Sequence, residues 1–142
     1  MTASAIGWED LEVGDSMQPC EDGPLTITDF VRYQGASGDM NPIHHDTAFA
    51  QAAGFDQPFA VGMRQAGMLA TCVTDWFGPA NVRRFEVRWH SQAWPGDVLT
   101  YMGRVSNLYE RNGERFADLE LAGQRQTGDL HIEGWATVVV PR

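Results

Sequence analysis

The chain has 142 residues, and 19 acidic against 10 basic side chains leave a formal net charge of -9. All ten basic residues are arginine, which removes lysine Schiff bases, lysine nucleophiles and a phosphate-loop lysine from consideration. The acidic balance argues against a general nucleic-acid binder and against a basic helix lying on a membrane.

Residues 1–142 read as one domain, long enough to bury a core without disulfides or metal. Met1 to Ser4 do not open a basic region followed by an apolar stretch, so no signal peptide is expected. Arg64, Gln65 and Asp75 interrupt the longest apolar segment, so no membrane span is expected either. Cys20 and Cys72 lie far apart with no paired ligand spacing, which fits a reducing, cytoplasmic setting and two thiols used as small apolar fillers.

Ile27, Phe30, Val31 and Gln34 stand at helical spacing and predict a first helix over Ile27–Ala36. Thr26 is its N-cap, Asp29 sits at the third helical position, and Gly35 and Gly38 end it. A short second helix is expected over Thr47–Ala53, capped by Asp46 and closed by Gly54. The longest runs from Gly62 to Phe77, with Met63, Ala66, Gly67, Ala70, Val73, Thr74 and Phe77 as its slim apolar face.

From Val82 the period changes to two. Phe85, Val87 and Trp89 alternate with Glu86, Arg88 and His90, which describes a strand with one buried face. Trp94-Pro95-Gly96-Asp97 is a turn, a second strand is expected over Val98–Tyr109, and Asn112-Gly113 signals a hairpin. A third strand carries Phe116, Leu119 and Leu121, and a fourth covers His131–Val140 after Thr127-Gly128-Asp129. The fold class is α+β: long antiparallel strands covered by one central helix. A single slim helix covers such a sheet incompletely, so the rest of the apolar face is expected to meet a second subunit. Trp76, Trp89 and Trp94 read as core or interface anchors rather than a base-stacking platform.

The densest chemical signal is the loop Ser37-Gly38-Asp39-Met40-Asn41-Pro42-Ile43-His44-His45-Asp46. Pro42 fixes its own backbone and restricts Asn41, so the spacing between Asp39 and His44 is held. A carboxylate and an imidazole around one water supply what acid–base chemistry needs. Asp46 reads as a helix cap, and Asp39 taken alone could be a turn residue. A metal site from Asp39, His44 and His45 is disfavoured, because adjacent histidines point apart and no third ligand has metal spacing.

The segment from Tyr33 to Asp46 resembles the hydratase-2 signature of MaoC-like dehydratases, the (R)-specific enoyl-CoA hydratases. Trp8–Asp15 resembles the opening segment of that family, Pro58–Met63 the entry to its central helix, and Pro95-Gly96-Asp97 its turn before a long strand. Val73-Thr74-Asp75-Trp76 is similar to the late helix of (3R)-hydroxyacyl-thioester dehydratase catalytic subunits. The resemblance implies a hotdog fold, a long sheet wrapped around one helix, in agreement with the order of elements.

It further implies that Asp39 and His44 hold and activate the water that crosses the 2,3-bond. Gly62 would offer a backbone N–H to the thioester carbonyl, a role that a helix N-terminus suits physically. Glycine there would also let a ligand approach the backbone closely. Asn41 would organise the loop beside the substrate, and Val61 and Met63 would line the acyl pocket. Val61 departs from the histidine many relatives carry, which bears on the substrate rather than on the reaction.

The partner implied is an acyl thioester of coenzyme A or acyl carrier protein, with no cofactor and no metal, and with no nucleic-acid or membrane partner. Arg83, Arg84 and Arg88 form the densest basic cluster, and Arg88 is a candidate contact to the carrier phosphates, against the alternative of a solvated strand face. The expected assembly is a homodimer, or a heterodimer with a second hotdog subunit. Two other functional classes stay open: a hotdog thioesterase, and a non-enzymatic subunit that stabilises a catalytic partner.

Overall fold

The computed structural model describes residues 6–141; Met1–Ser4, read above for a leader, lie outside them, as does Arg142. The first helix, α1, runs Ile27–Ser37 and starts at a capping box: Thr26 Oγ1 accepts from the Asp29 N–H, and the Asp29 carboxylate accepts from the Thr26 N–H. This reciprocal pairing satisfies two N–H groups that a helix start otherwise leaves open. Gly38, at φ 79°, ends the helix in a left-handed cap. Helix α2 covers Thr47–Ala52, and its cap is Asp46, whose Oδ1 accepts from Phe49 N–H at 3.1 Å. Helix α3 occupies Gly62–Phe77, the bounds expected from sequence. No helix among the described residues is long and apolar enough to cross a membrane.

Five strands form one antiparallel sheet: β1 (Cys20–Asp22), β2 (Val82–Trp89), β3 (Leu99–Arg111), β4 (Glu114–Arg125) and β5 (Leu130–Val139). Their spatial order is β1-β3-β4-β5-β2, so β1 and β2 are the edges. The β3–β4 hairpin turns at Asn112-Gly113, where both residues have positive φ (54° and 80°), the backbone of the tight turns favoured between twisted strands. Strand β1 has no counterpart in the sequence reading. It is three residues long, too short to show a period, and it is held by pairing with β3 and by side chains from α3.

The inner face of the sheet is carried by Tyr101 and Val105 of β3, Leu119 and Leu121 of β4, and Ile132, Ala136 and Val138 of β5, all buried. Helix α3 lies on this face with Leu69 against Gly134, where a side-chain Cβ would come within 3.1 Å of a Leu69 methyl. Leu11, Met17, Leu25 and Phe30 join the same core from the N-terminal region. The inner face of the central strands is therefore sealed within one chain. What is left open is the β2 edge, where Phe85 and Val87 are half-buried and Trp89 is 40% exposed.

Two helical faces also differ from expectation. On α1, Phe30 and Gln34 are buried, whereas Val31 is exposed. On α3 the buried residues are Gln65, Ala66, Leu69, Cys72, Val73 and Phe77, while Met63 and Gly67 face outward. A polar residue on the inward stripe, Gln65, rotates the true face away from the one that hydrophobicity suggests. Gln65 is completely buried and neither atom of its amide has a hydrogen-bond partner among the described residues. An unpaired buried donor or acceptor costs about 1–3 kcal/mol. Gln65→Leu, similar in size and apolar, is accordingly expected to raise the urea midpoint of unfolding. A lowered midpoint would show that the amide is paired in solution.

The start of α3 is tied to the β1 edge by a buried ion pair. Arg64 Nη1 and Nη2 donate to the two Asp22 oxygens at 2.7 and 3.0 Å, and Tyr101 Oη donates to Asp22 Oδ2 at 3.3 Å. A fork-shaped pairing of this kind fixes angle as well as distance. Burial foremost, with the Asp22 carboxylate beside it, holds the Tyr101 phenol protonated far above its ordinary range.

Candidate active site

The loop between α1 and α2 is built around Gln34. Its buried Nε2 donates to the carbonyls of Asp39 (2.8 Å) and Asn41 (3.0 Å), and its Oε1 pairs with His45 Nδ1 at 2.8 Å. One helical side chain thus holds both flanks of the loop. Asn41 adds a second brace: its Oδ1 accepts from Ile43 N–H at 3.1 Å at the start of the 3-10 turn Pro42–His44, and its own N–H donates to Asp39 Oδ1 at 3.3 Å.

His44 is buried at 8% exposure, and its Nδ1 lies 2.8 Å from the Phe59 carbonyl. A carbonyl can only accept, so Nδ1 carries the proton and Nε2 presents its lone pair. Nε2 faces Asp39 Oδ2 at 4.0 Å. That gap is too long for a direct hydrogen bond and suits one water within reach of both groups. The imidazole is held from behind as well: Phe59 meets it edge to face at 5.3 Å, and Phe55 and Trp94 pack on Phe59 at 4.8 and 5.8 Å. The Asp39 side chain, by contrast, is 47% exposed, so the pair has a dry side and an open side.

Phe59 also links this pair to the central helix, because Gly62 opens α3 three residues later. The N-cap of α3 is Val61, which makes no side-chain capping bond. Of the first-turn N–H groups, that of Arg64 donates to the Val61 carbonyl at 2.9 Å, and no capping side chain stands at position 61. On the Cβ side of Gly62 stands Trp89, whose indole Nε1 would lie 3.0 Å from a Cβ there, so a side chain at this position would press against the indole.

The structure brings Asp39, Asn41 and His44 together and places Val61 and Gly62 at the adjoining helix start. Val61 is buried at 2% and Met63 is 57% exposed. Arg88 precedes Trp89 on β2 and, by the alternation of a strand, points to the opposite face. The basic cluster is partly engaged: Arg84 pairs with Glu86 at 2.7 Å, and Arg83 donates to the Ala80 carbonyl at 2.8 Å. Among the described residues Arg88 has no ion pair. Two grooves, of about 550 and 480 Å³, lie on the outer face of the sheet around Met102 and Trp135 and around Asp118 and Thr137, away from the Asp39–His44 loop.

Sequence reasoning missed Gln34 as the support of the loop. The signal was a glutamine on the buried stripe of α1. It missed the Trp89 contact altogether, since nothing local connects positions 27 residues apart. Cys72 is not a nucleophile: burial, reinforced by Cys20, pushes its thiol up to about 12.

With this geometry in hand, the relatives are informative. Residues 10–121 match the model of the MaoC like domain. Over 66 residues the chain is 36% identical to the enoyl-CoA hydratase ChsH3 of Mycobacterium tuberculosis, a match covering 44% of this chain and 23% of that protein. The match to a longer curated relative covers only 10% of its length. The R-hydratase PhaJ1 of Pseudomonas aeruginosa superposes with a TM-score of 0.85 at 23% identity, covering 97% of this chain and 87% of that one. The ChsH1-ChsH2 complex of Mycobacterium tuberculosis superposes with a TM-score of 0.79 at 22% identity, covering 91% and 98%. The two structural likenesses establish the hotdog fold.

Fold and loop define the class as a hotdog protein with a carboxylate and an imidazole facing each other in the loop between α1 and α2. The chain belongs to the MaoC-like dehydratase family, a family of hydro-lyases.

Proposed function

We propose that the protein reversibly hydrates trans-2-enoyl thioesters and dehydrates the (R)-3-hydroxyacyl forms. The observation that carries this reading is the 4.0 Å gap between His44 Nε2 and Asp39 Oδ2, with Nδ1 committed to the Phe59 carbonyl. In the hydration direction a water in that gap gives a proton to one member of the pair and its oxygen bonds to C3. The 2,3-double bond becomes an enolate, whose charge moves onto the thioester oxygen. The Gly62 N–H, at the positive end of α3, stabilises that oxygen. C2 then takes that same proton back from the pair, directly or after it passes between the two groups, so H and OH have been added and both groups return to their starting states. The thioester supplies the acidity at C2, so no cofactor enters the scheme.

The carrier of the acyl group is coenzyme A or acyl carrier protein, and Arg88 is the candidate contact to its phosphates. Asn41 braces the loop beside the substrate, and Val61 and Met63 flank the acyl chain. The working unit is an assembly of two hotdog units, two copies of this chain or this chain with a second subunit. The open β2 edge, with half-buried Phe85 and Val87, supports it.

The test is stereochemical. (R)-3-hydroxybutyryl-CoA is expected to lose water in the presence of the purified protein, while the (S) form is left intact. Equal consumption of both forms would refute the reading.

A further inference from the structure

We propose that Trp89 is a positioning residue that fixes the Gly62 amide for the reaction, in place of the side-chain cap that α3 lacks. The inference rests on the reading of Gly62 given above and extends it to a residue on another element.

The three helices begin in two different ways. Thr26 and Asp46 cap α1 and α2 by placing a side-chain oxygen on an early N–H. Such an oxygen ahead of α3 would fall on the Arg64 N–H, as the other two fall on Asp29 and Phe49, and would leave the Gly62 peptide itself unheld. Val61 supplies none. The start of α3 is held from its other end. Trp89, the last residue of the β2 edge strand, donates its indole N–H to the Gly62 carbonyl at 3.0 Å. Its ring also lies flat against the same residue, with Nε1, Cε2 and Cδ1 at 3.0, 3.2 and 3.5 Å from where a Cβ would stand.

A hydrogen bond on the carbonyl and a ring on the Cα constrain the one residue type with the greatest backbone freedom. A donor for a developing oxyanion works only when it is already oriented, and a 1 Å error costs about a hundredfold in rate. Trp89 meets that need through the Gly62 carbonyl and takes no part of the Gly62 N–H. It is 40% exposed at the end of an edge strand, outside the buried core cluster.

The test compares wild type with Trp89→Phe, which keeps a ring and removes the donor, using crotonyl-CoA as substrate. A drop in kcat of about tenfold is expected, with KM changed less than about twofold, because the Gly62 contact strengthens in the transition state. The ¹⁵N order parameter of the Gly62 amide, read in the same two proteins, is expected to fall from about 0.85 toward the flexible range. Should the phenylalanine variant fail to fold, benzothienylalanine at position 89 keeps the ring shape and replaces the N–H with sulfur, and the same losses are expected.

A folded variant with wild-type kcat and an unchanged order parameter overturns the proposal. So does a loss in kcat matched by an equal loss of folded protein. A wild-type protein inert toward crotonyl-CoA counts against the hydration reading, whereas the order parameter still reads the coupling of Trp89 to Gly62.

Discussion

His44→Ala is expected to lower kcat for enoyl-thioester hydration by about a thousandfold, within the range general acid–base groups contribute. The imidazole is oriented from three sides: by the Phe59 carbonyl on Nδ1, by the Phe59 ring edge to face, and by the Asp39 carboxylate opposite Nε2. On the proposed mechanism alanine removes one of the two groups that take the proton from water and return it to C2, leaving only Asp39. Asp39→Asn is expected to cause a loss of the same order, since an amide holds a water but takes no proton from it. The loop survives this change because Gln34 anchors the backbone carbonyls of Asp39 and Asn41 rather than the Asp39 side chain. Steady-state kinetics together with circular dichroism check both variants. Turnover within a few-fold of wild type in either one, with the fold intact, would remove that residue from the mechanism.

The second large effect concerns stability. Asp97, in the turn that precedes β3, is 3% exposed and is surrounded by donors. Arg125 Nε and Nη2 reach it at 2.8 and 3.1 Å, Gln126 Nε2 at 2.8 Å and the Trp94 N–H at 2.8 Å. Asp97→Ala would leave the Arg125 guanidinium and the Trp94 amide without their acceptor at the end of the β4–β5 hairpin. Removing one partner of a buried pair costs about 3–5 kcal/mol, and urea unfolding is the measurement. A cost below about 1 kcal/mol would show that water replaces the carboxylate.

The same residue shapes the acid limb of stability. Burial alone would raise the Asp97 pKa, but the hydrogen bonds from Arg125, Gln126 and Trp94 outweigh it and hold the group below its ordinary value of 3.8. A depressed folded-state value means that the unfolded chain takes up the proton first. The contribution is therefore complete above pH 3.8 and is lost as the pH falls through the folded-state value. Thermal melts of wild type should steepen below that pH, and those of Asp97→Ala should lose that part of the slope.

Features set by neighbouring residues were readable in the sequence. Thr26 with Asp29, Asp46 before Thr47, and Asn112-Gly113 each specify local geometry within a few residues, and each forms as expected. The approach of Asp39 to His44 was readable for the same reason, since both share one short, proline-stiffened loop. The features that escaped are made by contacts across the chain. Strand β1 exists because Cys20–Asp22 pair with Leu99–Tyr101 and because Arg64 reaches Asp22. Gln34 looks like an ordinary polar residue until the loop folds back over it. The inward turn of Gln65 and the packing of Trp89 on Gly62 run against hydrophobic pattern, and sequence periodicity has no means of expressing them.

The most direct measurement is a single reaction in which purified wild-type protein meets crotonyl-CoA while enoyl absorbance and free thiol are followed together. Water added across the 2,3-bond by Asp39 and His44 requires the enoyl signal to fall, a 3-hydroxy thioester to appear, and the thiol count to stay flat. Thiol released in step with substrate loss would make the protein a thioesterase, and an unchanged enoyl signal would leave the pair without the chemistry assigned to it.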